Sequence, residues 1–305
     1  MRLVGPNCLG ISNTDPELCL DATFAAAHPS PGTAGVAVQS GGVGIALLEG
    51  LSRLGIGVSS FVSLGDKYDV SGNDMLQWWE SDGRTDLALL HLESFGSPRA
   101  FSRTARRVTR RMPVLTVDAG RTDAGRRAAA RSVGELLETA ALMHSQPLPV
   151  GTRMVIVTNA GGAGVLAADA CAEAGLSLPQ LSPDTVDALL AVLPDGAAVG
   201  NPVDATAAVT EEQLRDCVDR IMRCPEADAV LAGPCSHRGR RGDRRRPDPV
   251  LTDGPGPRAR PVAAVRLEQD LPVRLLPATD GGTIPSYAEP GAAARALAHA
   301  ARRSA

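Results

Sequence analysis

The sequence predicts an α/β protein built from two parallel-sheet domains. Three observations predict it. Short apolar runs ending in glycine alternate with longer helical patterns, the signature of strands crossed by helices. The alternation occurs twice, with matching landmarks in the same order. The length, 305 residues, makes room for about two domains at roughly 150 residues each.

Taken in order, Val36-Ala37-Val38 is the first expected strand, running into Gly41-Gly42-Val43-Gly44 and a helix from Ile45. Residues 58–62 (VSSFV) form the second strand, followed by a helix over 71–81. Residues 87–92 (LALLHL) are the third strand, 98–111 an Arg-rich amphipathic helix and 113–117 (PVLTV) the fourth strand. The second half restarts at Met154-Val155-Ile156-Val157, again followed by Gly161-Gly162-Ala163-Gly164. Segments 41–55 (GGVGIALLEGLSRLG) and 161–175 (GGAGVLAADACAEAG) align without a gap, glycine falling at the first, second, fourth and last positions of both. Residues 86–93 align with 228–235, and 112–114 with 260–262. We read one module duplicated, with domains at 1–145 and 146–305. Residues 236–260 break the pattern, with eight arginines, many Pro and Gly, and no periodicity where a helix should join two strands. A solvated loop is expected there.

Composition narrows the function classes. Apolar residues are 44% and charged residues 21% of the chain, as in ordinary globular proteins. No apolar run approaches the 18 or so residues of a membrane-spanning helix. The start, Met1-Arg2-Leu3-Val4-Gly5-Pro6, is not expected to be a signal peptide, because Gly-Pro interrupts it before an apolar core develops. Basic and acidic residues number 31 and 34, a net charge of −3 that steers the chain to neither nucleic acid nor membrane. The Arg-rich stretch lacks the interleaved aromatics that stack on bases. Lys67 is the only lysine. Six cysteines (8, 19, 171, 217, 224, 235) show no metal-ligand spacing. We read them as reduced thiols of a cytoplasmic protein, with no metal site.

The glycine turns carry the chemistry. A strand entering Gly-Gly-x-Gly and then a helix presents backbone N–H groups at the helix N-terminus, where the dipole places about half a positive charge. Gln39 and Ser40 add an amide and a hydroxyl to the first turn, and Asn159 adds an amide to the second. Glycine in such turns also serves simple packing, so one turn alone is weak. Two equivalent turns in paired modules fit a pseudo-twofold that aims both helices at one anion. Glu93 lies at the end of an expected strand, where α/β sites are found. Its alternative reading is a helix N-terminal charge before Pro98. Cys8 has the alternative reading of a small buried residue.

At this level the chain resembles the acyl-CoA synthetases that form a nucleoside diphosphate, relatives of succinyl-CoA synthetase. The resemblance is carried by RLVGPNCLG (2–10), VQSGGVGIAL (38–47), VSGNDMLQWWESD (70–82), LHLESFGSPRAF (90–101), IVTNAGGAGVLAADA (156–170) and GNPVDAT (200–206). It implies two flavodoxin-like ligase domains. Of the family's CoA-binding Rossmann domain only the last strand and turn, residues 2–10, have a counterpart, and the ATP-grasp domain has none. The resemblance therefore implies a partner chain or domain carrying those parts, an oligomer, and magnesium only through the ATP-grasp domain.

It also implies CoA and phosphate or nucleotide as ligands. In the family, a phosphohistidine sits between the N-termini of two helices. Carried over, the phosphate-binding residues are Gln39, Ser40, Gly41 and Gly42 in the first turn and Asn159, Gly161 and Gly162 in the second. Glu93 matches the glutamate that pairs with the histidine ring, and Asn7 and Cys8 match the turn near the CoA thiol.

The sequence departs from the family where the histidine is expected. Residues 120–130 match the lead-in to the histidine segment, but residues 131–139 resemble a helix found some thirty residues later in the family. The phosphohistidine segment is read as deleted near 131. His28, His91, His144, His237 and His299 are read as structural or solvated. Three functions follow: part of an NDP-forming acyl-CoA ligase, inactive alone; a non-catalytic CoA- or phosphate-binding module like those fused to protein-lysine acetyltransferases; or a degraded gene remnant. For the last, 236–260 resembles a shifted reading frame.

Overall fold

The computed structural model describes residues 1–118, 130, 132–233, 260–278 and 281–304. The expectations for 120–129, for His237 and for the Arg-rich stretch before Arg260 lie outside the described residues.

The chain divides into two compact units, 1–140 and 141–305. The division falls within a helix, a few residues before the expected boundary at 145.

The first unit is one six-stranded sheet. Its strands are β1 (Gly10–Asn13), β2 (Leu20–Thr23), β3 (Pro31–Val38), β4 (Val58–Ser63), β5 (Leu87–Leu92) and β6 (Val114–Asp118). The spatial order is β2-β1-β4-β3-β5-β6. The four strands β4-β3-β5-β6 are parallel, and β1 runs antiparallel to both its neighbours. Strand β3 starts five residues before the expected Val36, because Pro31 and Ala34 already pair with Val58. Glycine is required in this stretch, since a Cβ on Gly32 or Gly57 would collide with the facing backbone. That loss of apolar side chains hides the strand from a periodicity reading.

Among the described residues, four helices surround this sheet: α1 (Gly41–Leu54), α2 (Gly72–Trp79), α3 (Pro98–Val108) and α4 (Val133–Ser145), of which α4 runs on into the second unit. Helix α1 lies over Val38 and Phe61, and meets α4 where Gly50 faces Leu137. The opposite face buries Ala37, Leu90 and Leu92 with Leu76 and Trp79 of α2 and Val108 of α3. Trp79 is fully buried and its indole N–H donates to Ser60 Oγ at 2.8 Å. Next to the gap expected near 131, Ala130 N–H donates to Thr116 O at 2.9 Å. Ser132 Oγ then accepts from Glu135 N–H at 3.1 Å, satisfying a donor of the first turn of α4.

The second unit is a seven-stranded sheet made of β7 (Met154–Thr158), β8 (Ala198–Val199), β9 (Val203–Asp204), β10 (Ala229–Ala232), β11 (Val262–Val265), β12 (Val273–Pro277) and β13 (Thr283–Tyr287). The order is β12-β13-β11-β10-β7-β9-β8, antiparallel only at its two edges. Its helices are α5 (Gly161–Glu173), α6 (Pro183–Leu190), α7 (Glu211–Arg223) and α8 (Pro290–Ser304). Helices α6 and α7 bury Leu189, Leu214, Cys217 and Ile221 against Val155, Val157 and Val230, while α5 packs on α8.

Numbered by appearance within each parallel set, β9-β7-β10-β11-β13 runs 2-1-3-4-5, the doubly wound flavodoxin-like order. Strands β4-β3-β5-β6 repeat its first four members, 2-1-3-4. Both units are thus α/β and flavodoxin-like. The short strands β1, β2, β8 and β12 were not foreseen, since two to five residues show no usable period.

Candidate functional site at the carboxyl ends of β3 and β5

Strand order reverses between β3 and β5, because the chain leaves β3 toward β4 and returns on the other side as β5. In doubly wound sheets, ligands bind in the crevice at such a switch point. Gln39 follows β3 and Glu93 follows β5, so both stand at this crevice. Gln39 N–H donates to His91 O at 2.8 Å. Glu93 N–H donates to Gln39 Oε1 at 3.1 Å, and Gln39 Nε2 reaches Glu93 Oε2 at a longer 3.5 Å. The cap of α3 is Ser97, whose Oγ accepts from Ala100 N–H at 3.4 Å. Glu93 is therefore a partner of Gln39 and not a cap of α3.

Helix α1 begins beside this pair. Ser40 is its N-cap residue in extended geometry, but its hydroxyl accepts no capping bond from the helix. The first-turn N–H groups lack intrahelical acceptors by construction. The glycines here have different jobs. A Cβ on Gly44 would press on Phe61 at 2.8 Å and Val38 at 2.9 Å, so this glycine is there for packing. A Cβ on Gly41 would sit 3.3 Å from Leu9. A Cβ on Gly42 would meet nothing within 4 Å.

Asn7 and Cys8 are held close to the same end of the sheet. Leu9 N–H donates to Ser63 Oγ at 2.9 Å, just past Cys8. Residues 64–70 clasp the turn: Asp66 N–H donates to Pro6 O at 3.0 Å, Tyr68 N–H to Gly5 O at 3.3 Å, and Val70 N–H to Leu3 O at 3.1 Å. Asn7 Nδ2 reaches Asp66 Oδ1 at 3.5 Å. Arg2 anchors the segment through Asp69 at 2.7 Å and Asp74 at 3.0 Å. Cys8 is half-buried, with only a weak contact to Val4 O at 4.0 Å.

Sequence reading missed Lys67, which it noted only as the one lysine. Lys67 takes the left-handed conformation, φ +55°, uncommon for a side chain with a Cβ. Its Nζ donates to Ser94 O at 2.6 Å and to Ser94 Oγ at 2.9 Å. Burial lowers the pKa of its ammonium, and the neighbouring Glu93 carboxylate pulls it partly back up. The only signal available was its position, since no spacing rule marks a single lysine.

The second unit carries Asn159, Gly161 and Gly162 at the matching place, the carboxyl end of β7 and the start of α5. Asn159 is buried, and a Cβ on Gly162 would again meet nothing within 4 Å. One feature differs from the first unit. A Cβ on Gly161 would lie 2.7 Å from Asp204 Oδ2, so a carboxylate stands against the first turn of α5. Asp204 ends β9 and accepts from Thr206 N–H at 2.9 Å through its other oxygen. It occupies the electropositive end of the helix, where a carboxylate is favoured and a second anion is repelled. GNPVDAT contained this residue, but its contact with Gly161 depends on β9 pairing beside β7.

Cys171 and Cys217 are buried, which pushes each thiol up to about 12 and keeps it inert. Among the described residues, no cluster of three His, Cys, Asp or Glu is placed to hold a metal ion. No helix among them is long and apolar enough to cross a membrane. His144 lies in the last turn of α4 and His28 pairs with Asp21. His91 sits on β5 with its Nδ1 buried and unpartnered.

Comparison with known proteins places both units in known domain families. Residues 31–147 match the succinyl-CoA ligase like flavodoxin domain, and residues 154–235 match the ligase-CoA domain. The acetate–CoA ligase [ADP-forming] II subunit alpha of Pyrococcus furiosus is 34% identical over 257 residues, covering 76% of this chain and 55% of that protein. The chain belongs to the NDP-forming acyl-CoA synthetase family.

Two solved structures extend the likeness over the whole chain. PH0766 from Pyrococcus horikoshii superposes with a TM-score of 0.79 at 28% identity, covering 99% of this chain and 71% of the other. The dinucleotide forming acetyl-coenzyme A synthetase 1 of Ca. Korarchaeum cryptofilum, in complex with phosphate and ADP, gives a TM-score of 0.77 at 25% identity, covering 100% and 71%. The chain spans between a third and just over half of the length of the curated relatives it matches.

Proposed function

We propose that this chain is the ligase-domain part of an ADP-forming acyl-CoA synthetase, a segment that interconverts acyl-CoA and carboxylate only together with further domains. The pairing of Gln39 with Glu93 beside the open Gly42 turn carries this reading. A glycine that no neighbour requires, in a helix whose first turn lacks acceptors, leaves the backbone open to an incoming phosphate. Close approach by a ligand is the use this reading assigns to Gly42.

In this reading Ser40, Gly41 and Gly42 receive a phosphoryl group at α1. Gln39 orients Glu93 so that its carboxylate meets an incoming imidazole, fixing the tautomer and stabilising the imidazolium. Asn7 and Cys8 line the approach of the CoA thiol. Asn159, Gly161 and Gly162 form the second phosphate turn, with Asp204 reducing its affinity. The ATP-grasp part, with its magnesium and nucleotide, and most of the CoA-binding part come from a partner chain or domain in an oligomeric, cytoplasmic assembly. The alpha-subunit relative from Pyrococcus furiosus supports a division of labour of this kind.

Nucleophilic catalysis here needs a histidine, and the side chain bonded to Glu93 is Gln39. Because residues 131–139 follow the 120–130 lead-in directly in the sequence, we read the family's phosphohistidine as deleted and this chain alone as inactive. Calorimetric titration with phosphate, CoA and ADP, beside an isotope-exchange assay with a separate ATP-grasp chain, tests this. Binding of phosphate or CoA without exchange is expected. Labelling of this chain on histidine contradicts the deletion. No binding at all contradicts the site and favours a remnant.

A further inference from the structure

Lys67 is the only lysine in 305 residues, and it stands at the candidate site. Three observations define its setting. Its amine is fixed by Ser94 O and Ser94 Oγ, immediately after Glu93. Its backbone is left-handed, as are those of Gly65 and Asn7 nearby. For a residue with a Cβ such a position costs about 1–3 kcal/mol and persists where the surroundings over-determine it. The residue before it, Asp66, bonds Pro6 O and Asn7, the turn assigned to the CoA thiol. Lys67 thus lies on a short loop between the thiol turn and the Glu93 strand end.

An ammonium has three donors and no acceptor, and two of the three are engaged with Ser94. Resting on the ligase reading above, we propose that Lys67 is an acyl-acceptor site, modified on Nζ by the acyl-CoA that the site binds. The neutral amine attacks the thioester carbon, the C–N bond forms and the C–S bond breaks. CoA leaves as the thiol, carrying one proton, and the product is an Nζ-acyl lysine. Starting from the ammonium, one proton goes to solvent before attack. No oxidant, metal or nucleotide is needed. Burial supports the step, since it raises the neutral fraction of an amine that is ordinarily almost wholly charged at neutral pH.

The modification removes the positive charge beside Glu93 and adds an acyl group where the loop meets the 5–8 turn. Occupied in this way, the site loses the charge that balances Glu93. Acylation would therefore report the presence of acyl-CoA at the site.

The test is incubation of the whole folded chain with acetyl-CoA, read by intact mass and peptide mapping, with a thermal melt in CoA on the same preparation. One acetyl group on Lys67 is expected, gained about tenfold faster than in the urea-unfolded chain because the donor is held in place. The rate should saturate with acetyl-CoA and fall when free CoA is added. No acetyl group on Lys67, or an equal rate in the unfolded chain, overturns the proposal. A melt raised by CoA with Lys67 unmodified overturns this inference alone. A melt unmoved by CoA with no acetyl group overturns the ligase reading as well.

Discussion

Gln39 and Glu93 are bound to each other across the switch point of the first sheet, the Glu93 N–H donating to Gln39 Oε1 at 3.1 Å. A main-chain bond from Gln39 N–H to His91 O at 2.8 Å locks the two strand ends together beneath them. The side-chain amide thus holds the Glu93 main chain, and its Nε2 makes a longer contact of 3.5 Å with the Glu93 carboxylate.

Gln39→Leu should leave the fold nearly intact, because the pair is partly exposed and such bonds contribute about 0.5–1.5 kcal/mol net. It should instead reduce the rise in melting temperature produced by phosphate. Melts of both proteins in matched phosphate and chloride buffers check this. An unchanged phosphate response would remove Gln39 from the site.

Gly42 and Gly44 separate packing from ligand approach within one turn. Gly44→Ala puts a methyl into Phe61 and Val38 and should destabilise by about 1–3 kcal/mol. Gly42→Ala meets nothing and should keep or slightly raise stability, while weakening phosphate binding. Denaturant unfolding and phosphate titration of the two variants give the four numbers needed. Equal loss of stability in both would contradict the division of roles.

Asp204 faces the first turn of α5 and should oppose an anion there. Asp204→Asn keeps the shape and the bond to Thr206 but removes the charge. It is expected to tighten phosphate binding by a few-fold, a gain of about 0.3–1 kcal/mol for one charge at a helix end. Calorimetry with phosphate at low salt is the measurement, and unchanged affinity would place the anion elsewhere.

Asp228 gives the acid limb of stability. It is buried, and Arg153 donates to both its oxygens, at 2.8 and 3.1 Å, holding its carboxyl below the usual range. A depressed folded-state pKa contributes stability above the unfolded value, near 3.9, and that contribution is lost as pH falls through the folded value. Arg153 is half exposed, so solvent screens the pair and tempers this contribution. Asp228→Asn should lower stability at pH 7 and flatten its fall below pH 4. Unfolding curves from pH 7 to pH 2 check the slope.

Much of this was legible in the residues. Strand 87–92 is found where LALLHL put it, because six apolar-rich residues between Asp86 and Glu93 permit little else. The two glycine turns start α1 and α5 as expected. What was not legible depends on neighbours that only the sheet order supplies. Which glycine of the first turn packs is decided by Leu9 against Gly41 and by Phe61 and Val38 against Gly44, while Gly42 meets nothing within 4 Å. Asp204 reaches Gly161 only because two-residue β9 pairs with β7. Lys67 reaches Ser94 only because β4 and β5 flank β3. Helix 71–81 ends at Trp79 and helix 98–111 at Val108, the usual fraying where apolar period outlasts the hydrogen-bond ladder.

The most direct test of the central claim, a ligase-domain segment that retains its anion and CoA site, is a thermal melt of the purified chain alone. It is recorded without ligand and then with phosphate, CoA, acetyl-CoA and ADP. A single cooperative transition, raised by phosphate and by CoA, is predicted, since a ligand at a hundred times its Kd stabilises by about 2.7 kcal/mol. A transition that no ligand moves, or no cooperative transition, would contradict it.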